Sequence, residues 1–241
     1  MEKHHARFSN PWKWAHGPNP RNLRRVVFER KFLAFAPRRG YAARAMKKRI
    51  ATIKRTTKET DIDLVLNLDG AAEYKNQTGI PFLDHMLDLL AKHALLDLRV
   101  KCKGDLDVDY HHTVEDVGLA LGDALNAALG DRKGINRYGW ALVPMDEALC
   151  QVAMDLGGRP FVVYSVATKK KKIRDFDIDL IEEFFRAFAT QGRMNLHIHH
   201  LYGNEPHHAI ESIFKGVAKA LLHATALNPR VKGVPSSKGV L

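Results

Sequence analysis

Cysteine is scarce in this 241-residue sequence, and no apolar run approaches the eighteen or so residues that a membrane span requires. The two thiols, Cys102 and Cys150, are too isolated for a disulfide framework or a thiolate metal site, and they fit a reducing compartment. The N-terminal region also lacks the long apolar stretch of a secretory signal. We therefore expect a cytoplasmic protein without a membrane partner, whose thiols are buried and unreactive.

Acidic residues are almost missing from the first 49 positions, which hold 14 Lys and Arg against only Glu2 and Glu29. The remaining residues carry 24 basic and 25 acidic side chains, so the formal net charge of +11 belongs to the N-terminal segment. This location removes most of the case for a nucleic-acid partner. We interpret residues 1–48 as a basic, disordered extension. It is either a flexible tail, upstream sequence joined to a chain that begins at Met46, or a transit peptide directing the protein to a plastid.

One short pattern, H-H-x-x-E, occurs twice, at residues 111–115 and 207–211. Each copy opens a segment with helical periodicity, so the first histidine and the glutamate lie on one face of a helix. Imidazole and carboxylate groups within one turn favour Mn²⁺, Fe²⁺ or Zn²⁺. A single copy is also what a solvated histidine pair produces by chance. Two copies with identical spacing indicate a duplicated metal-binding unit.

The rest of the chain also repeats from residue 49 onward. Alternating apolar residues predict strands near residues 62–68, 96–102, 148–154, 161–166 and 196–198. Apolar stripes with helical spacing predict helices that begin near Pro81, His111, Leu180 and Pro206. We predict an α+β fold of two repeats, about 49–133 and 134–241, each a sheet covered on one face by helices. The helices of the two halves would pack against each other, and the run 169–172 would be a solvated loop.

From about Thr52 to Leu241 the sequence resembles imidazoleglycerol-phosphate dehydratase, a lyase of histidine biosynthesis. The likeness rests on several blocks in the right order: GIPFLDHMLD (79–88), DYHHTVED (109–116), GINRYG (134–139), DLGGRP (155–160), HHAIESIFK (207–215) and PSSKGVL (235–241). Ordered blocks of this length are far more specific than an isolated motif. The resemblance makes residues 49–241 a dehydratase domain and leaves the first 49 residues outside.

The resemblance implies dehydration of D-erythro-imidazole glycerol phosphate to imidazole acetol phosphate. The proton that leaves lies on a carbon without a neighbouring carbonyl, so it is not acidic. Metals on both ring nitrogens would turn the ring into an imidazolate that expels the hydroxyl through a diazafulvene-like intermediate. Two Mn²⁺ in each active site are therefore implied, which accounts for two copies of the motif.

Eight metal ligands follow from the resemblance by position: His85, His111, His112, Glu115, His197, His207, His208 and Glu211. In the family the ligands meet across subunit boundaries, three His and one Glu per Mn²⁺, and trimers associate into a shell of twenty-four. Histidines that open helices are expected to be neutral, because a helix N-terminus disfavours an imidazolium. By itself, His85 would be interpreted as a solvated helix residue.

The substrate-binding residues that the resemblance implies are Glu59, His93, Arg137, Arg159, Lys215, Ser236 and Lys238. Arg and Lys would hold the phosphate, and Glu59 would be the acid and base near the reacting carbons. The expected catalytic set is Glu59, His85, His111, Glu115, His207 and Glu211. We further suggest that Asp116 orients a ligand. Without the resemblance, the two arginines are ordinary surface residues and the C-terminal segment is a frayed tail.

Two other functions remain as alternatives. A dinuclear metallohydrolase also needs His and Glu clusters, but it usually has a bridging carboxylate, whereas each cluster here is complete in itself. Some relatives are fused to a phosphatase with paired aspartates, and Asp69-Gly70 lacks the second aspartate. A nucleic-acid-binding module would depend on residues 1–49 alone, and deleting them would abolish binding to polyanions.

Overall fold

The computed structural model describes residues 48–241, so the predicted extension lies outside the described residues apart from Lys48. The first half contains four strands and two helices: β1 (Ile50–Thr56), β2 (Thr60–Asn67), β3 (Tyr74–Gln77), α1 (Pro81–Ala94), β4 (Asp97–Gly104) and α2 (His111–Leu129). Its sheet has the strand order β1-β2-β4-β3, in which only β3 and β4 are parallel neighbours.

The second half repeats this plan with one insertion. Its elements are β5 (Tyr138–Met145), β6 (Ala148–Asp155), β7 (Phe161–Ser165), β8 (Lys172–Ile173), β9 (Phe176–Asp177), α3 (Leu180–Gly192), β10 (Asn195–Tyr202) and α4 (Pro206–Thr225). The sheet order β5-β6-β10-β7 reproduces the first, again with one parallel pair, β7 and β10. The insertion is the small hairpin of β8 and β9.

The helices of both halves lie between the two sheets, since α1 packs on α4 and α2 packs on α3. Alternation explains why one face of each sheet points inward. In β2, Ile62, Leu64 and Leu66 are buried while Asp61 and Asp63 are exposed. The predicted α+β fold of two repeated halves with interior helices is confirmed.

Besides the β8–β9 hairpin, three strands of the two four-stranded sheets were not foreseen from the sequence, and each hides its alternation differently. In β1 the inward positions include Ala51, which is small, and Ile53, which is only half-buried, so the apolar pattern is weak. The short edge strand β3 consists of polar residues and Tyr74. In β5, Trp140 and Leu142 are exposed, so its outward face is also apolar and no polar alternation is visible. The predicted loop 169–172 ends in the first residue of β8.

Close helix packing positions the ends of the helices, where the histidine motifs lie. A Cβ at Gly118 of α2 would stand 2.7 Å from the carbonyl oxygen of Phe184 in α3, so only glycine permits this approach. Phe184 also contacts Phe188 and Phe214 within a fully buried aromatic cluster. Burying such side chains contributes about 1.5–3 kcal/mol each, which holds α3 against α4 within the second half.

Both cysteines are buried free thiols, as the sequence predicts. Burial raises the pKa of Cys102 to about 11 and that of Cys150 to about 12, so neither forms an appreciable thiolate near neutral pH. None of the helices in residues 48–241 is long and apolar enough to cross a membrane.

Candidate metal centre

The N-terminal parts of α1 and α4 bring three predicted ligands together. Nε2 of His85 lies 3.1 Å from Oε1 of Glu211, and Nε2 of His207 lies 3.0 Å from the same oxygen. Within residues 48–241, this trio is the one group of three such side chains whose ligand atoms all lie within 4.8 Å. Two imidazole nitrogens and a carboxylate oxygen suit a borderline divalent cation, so the donor set fits a metal such as Mn²⁺. We call this trio the first seam.

The carboxylate of the first seam stays ionised. Burial raises its pKa, but hydrogen bonds from Lys215, His85 and His207 outweigh burial and lower the pKa of Glu211 to about 2. Nζ of Lys215 lies 2.6 Å from Oε2 of Glu211. The side chain of Glu211 is only 10% exposed, whereas those of His85 and His207 are 45% and 40% exposed. The seam therefore presents its two imidazoles to the surface over a buried anion.

The N-terminal ends of the other packed pair, α2 and α3, show only part of this arrangement of histidines and carboxylate. Nε2 of His111 lies 3.6 Å from Oε2 of Glu115, four residues along α2. His111 also lines a cavity of about 570 Å³ with Glu183 of α3 and several aspartates. The carboxylates around it make this cavity acidic.

Glu183 is a residue that the sequence analysis missed. α1 and α3 bury the same stripe at a constant separation of 98 residues: Leu83, Met86, Leu87 and Leu90 in α1, and Ile181, Phe184, Phe185 and Phe188 in α3. At this separation the counterpart of His85 is Glu183. The helical phase of the two stripes was the signal that could have found it, and we call His111, Glu115 and Glu183 the second seam.

The second histidine of each motif is held by a carboxylate outside the motif. Nδ1 of His112 donates to Oδ2 of Asp105 at 2.9 Å, and Nδ1 of His208 donates to Oε2 of Glu147 at 2.8 Å. These hydrogen bonds raise the pKa of both histidines above the usual value. In these two histidines the adjacent carboxylates therefore act against the effect expected of the helix N-terminus.

His197 lies on a strand, whereas the residues of both seams lie on helices. It is on β10, in a row that runs Trp140, Ala153, His197 and Val163 across neighbouring strands. Its ring approaches that of Phe161, whose side chain is 60% exposed. This row is on the outward face of the second sheet, so a single chain does not bring His197 to the other predicted ligands.

The predicted phosphate residues have different surroundings. Arg137 donates to both oxygens of Asp155, at 2.6 and 3.0 Å, and to the carbonyl of Pro235, so it fastens the C-terminal segment. Arg159 and Lys238 are exposed, and the backbone N–H of Lys238 donates to Oγ of Ser236. Arg137 is therefore engaged within the chain, while Arg159 and Lys238 are open to a ligand.

His93 and Lys215 lie along the same two helices as the first seam. Burial and the neighbouring charges of Lys219 and Lys215 lower the pKa of His93. Eight residues of helix, about 12 Å, separate His85 from His93 on α1. A positive surface therefore lies about two turns from the first seam.

Glu59 lies in the turn between β1 and β2, with Oε1 at 3.8 Å from Nε2 of His112. Its backbone N–H donates to Oγ1 of Thr57, and its carbonyl accepts from the N–H of Asp105. Asp116, suggested as a ligand orienter, instead accepts hydrogen bonds from Arg55 and Thr60. The carboxylate of Asp116 therefore links α2 to β1 and β2, and its suggested role beside a metal ligand stays a prediction.

Comparison with known proteins decides the family. The model of the family described as imidazoleglycerol-phosphate dehydratase matches residues 78–221. The chain belongs to the imidazoleglycerol-phosphate dehydratase family. A dehydratase of this name from Geobacter metallireducens is 54% identical over 193 residues, which cover 80% of this chain and 99% of the relative. One from Rhodopseudomonas palustris is 55% identical over 194 residues, with 80% and 98% covered.

Solved dehydratase structures have the same fold. The dehydratase of Staphylococcus aureus matches with a TM-score of 0.68 and 36% identity, over 74% of this chain and 99% of that one. The dehydratase of Pyrococcus furiosus, solved in complex with (S)-C348, matches with a TM-score of 0.69 and 38% identity, over 78% and 100%. The family assignment therefore agrees in sequence and in structure.

Proposed function

We propose that this chain dehydrates D-erythro-imidazole glycerol phosphate to imidazole acetol phosphate in histidine biosynthesis, as a carbon–oxygen lyase. The observation that carries the proposal is the first seam, in which His85, His207 and Glu211 converge in a chain of this dehydratase family. The metal-assisted route stated from the resemblance is part of the proposal. We propose the cytoplasm as the location, since the named bacterial relatives lend no support to a plastid.

Two Mn²⁺ ions per active site are proposed, held by the residues of the two seams. When bound, the cations supply Lewis-acid stabilisation of charge on the imidazole ring of the substrate. His85, His207 and Glu211 would hold one cation. For the other we propose His111 and Glu115, with Glu183 as a further candidate because it occupies the position equivalent to His85, and with His197 supplied by another copy.

The remaining chemistry falls to side chains that move a proton or hold the phosphate. Glu59 is 51% exposed beside His112, which lets its carboxylate reach a bound substrate and move the proton of the reacting carbon. We propose Arg159, Lys215, Ser236 and Lys238 as phosphate donors, with His93 beside Lys215. Arg137 supports them by fastening the C-terminal segment through Pro235.

Self-association is the second part of the proposal. Each seam offers three ligands from one chain, while the partly exposed side chains of His112 and His208 use Nδ1, not Nε2, for their hydrogen bonds to Asp105 and Glu147. We propose that a histidine of this pair from another copy completes each site, within trimers and an assembly of twenty-four. The outward face of the second sheet supports association, since Trp140 and Leu142 are 65% and 61% exposed.

The direct experiment is a turnover assay of metal-depleted protein with imidazole glycerol phosphate, before and after Mn²⁺ is added. Turnover is expected only after addition. Glu183→Gln should abolish the recovery, and the matched control Glu182→Gln should not, because Glu182 pairs with Arg186 on the exposed side of the same helix. Absence of turnover with Mn²⁺ in a folded wild-type protein would overturn the proposed function.

A further inference from the structure

The carboxylates that bind His112 and His208 do the same task but come from different positions of the repeat. In both halves Nδ1 of the second motif histidine donates to a carboxylate, at 2.9 Å to Asp105 and at 2.8 Å to Glu147. In both halves Nε2 is then the nitrogen left for another partner. Yet Asp105 and Glu147 do not occupy equivalent positions of the repeat.

The strand registers show which positions correspond. β4 and β10 occupy the same place in their sheets, so Asp105, directly after β4, corresponds to Gly203, directly after β10. β2 and β6 also correspond, so Glu147, directly before β6, is the counterpart of Glu59, directly before β2. Each histidine therefore has two carboxylates nearby: Glu59 lies 3.8 Å from Nε2 of His112, and Asp146 lies 3.7 Å from Nε2 of His208. The difference is that the second half uses Glu147, the counterpart of Glu59, for the task of Asp105.

Backbone geometry explains why the second half has no aspartate after its strand. Gly203 has φ +123, and a Cβ there would lie 2.6 Å from Cα and Cβ of Ala148. A side chain at this position would be strained and would collide with β6. Glu147 reaches Nδ1 of His208 from the β5–β6 turn instead, and its Oε1 accepts a hydrogen bond from the N–H of Glu205 at 3.0 Å. That second bond fixes the carboxylate against the start of α4.

We propose that Asp105 and Glu147 are positioning residues that hold His112 and His208 with the proton on Nδ1, so that Nε2 is the metal-binding nitrogen of each. A metal-ligating histidine generally needs its other nitrogen fixed in this way. The assignment rests on the metal-dependent function proposed above. It also explains a division of labour. Asp105 takes over the orienting task in the first half, which leaves Glu59 available for proton transfer, whereas its counterpart Glu147 is committed to His208.

The first half offers the cleaner test, because Oδ1 of Asp105 is buried without a hydrogen-bond partner among residues 48–241. Asp105→Asn can place its amide nitrogen there and keep an oxygen for Nδ1 of His112, whereas Asp105→Ala removes the acceptor. Asp107→Ala is the matched control, since it removes an exposed charge from the same loop. Mn²⁺ affinity and stoichiometry would be measured by electron paramagnetic resonance of free Mn²⁺, without substrate.

Asp105→Ala should weaken one class of Mn²⁺ site by about 10- to 100-fold. Asp105→Asn and Asp107→Ala should bind like the wild type, and Glu147→Ala should weaken one class of site similarly. Wild-type affinity in Asp105→Ala, or a loss in Asp105→Asn equal to that in Asp105→Ala, would overturn the positioning role alone. A wild-type protein that binds no Mn²⁺ would overturn the proposed function and, with it, this inference.

Discussion

The outward faces of the two sheets are formed by corresponding strands but differ in character. On the first sheet, a row of neighbouring outward positions runs Lys54, Asp63 and Lys101, and Lys54 lies 3.3 Å from Asp63. On the second sheet, the position equivalent to Lys54 is Leu142, which is exposed. A charged face is suited to water, and an apolar one is suited to another protein surface. The two halves therefore share a topology while their outward surfaces differ in charge and hydrophobicity.

The same contrast exists between the two seams. The first seam contains two imidazoles and one buried carboxylate, and the second contains one imidazole and two carboxylates if Glu183 takes part. Imidazole suits borderline cations and carboxylate suits harder ones, so the two seams should not bind cations equally. A substitution in one half can therefore be compared with the same substitution at the equivalent position of the other half.

Metal removal should have the largest effect, because both seams would lose the cations proposed for them at once. We expect chelation at neutral pH to lower activity by more than about 100-fold, since even supporting residues of metal sites are worth 10–100-fold. Binding and association are linked, so the large particle should also dissociate into small oligomers, and Mn²⁺ should restore both. Light scattering and turnover measure the two effects. An unchanged large particle after verified metal removal would refute metal-bridged assembly.

Adding charge to the two outward faces should give the next largest effect. Trp140→Lys should reduce the size of the particle, because Trp140 is 65% exposed on the apolar face. Thr52→Lys is the matched control, since Thr52 pairs with Val65 at the equivalent place in the first sheet. Sedimentation of both variants at one concentration measures the effect. Equal dissociation by both variants would contradict the contrast between the faces.

Replacing the proposed phosphate-binding residues, which lie in the second half, should have a smaller effect that is seen in the kinetics alone. Arg159→Ala and Lys238→Ala should each raise KM for the phosphorylated substrate by about 10-fold or more, because a charge-assisted hydrogen bond contributes about 1.5–3 kcal/mol. Metal content should stay at the wild-type level, which separates phosphate binding from the seams. A variant with a normal KM would remove that residue from the phosphate site.

Each half also holds one cysteine, and here the halves should behave alike. Burial raises the pKa of the Cys102 thiol to about 11 and that of Cys150 to about 12, so the thiolate is suppressed rather than favoured. A thiol reagent at pH 8 should therefore react slowly with both in the native protein and quickly after unfolding. Rapid reaction of either thiol in the native protein would show that its half opens locally.

Sequence patterns predicted the elements whose apolar residues are periodic and buried. The helices beginning at Pro81 and Pro206 were found because proline and apolar stripes mark their first turns. β5 was not found, because its outward Trp140 and Leu142 conceal the alternation. The reason is physical, because exposed apolar residues on the outward face remove the polar alternation that marks a half-buried strand.

The candidate site was predicted only as far as the motifs repeat. His207 and Glu211 followed from spacing, and His85 followed from the resemblance. Asp105 and Glu147 could not be found, because their role depends on turns that lie beside the motif only after folding. Glu183 was missed because its counterpart, His85, is a histidine. The difference in residue type hid the equivalence of the two positions.

Each seam is proposed to hold one Mn²⁺, and counting bound Mn²⁺ tests this assignment most directly. Titration followed by electron paramagnetic resonance should give two Mn²⁺ per chain in the wild type. Glu211→Ala and Glu183→Ala should each leave one, because each removes a carboxylate from a different seam, while Glu182→Ala should leave two. Two tightly bound ions in Glu211→Ala, or the loss of neither ion in Glu183→Ala, would contradict the assignment of one cation to each seam.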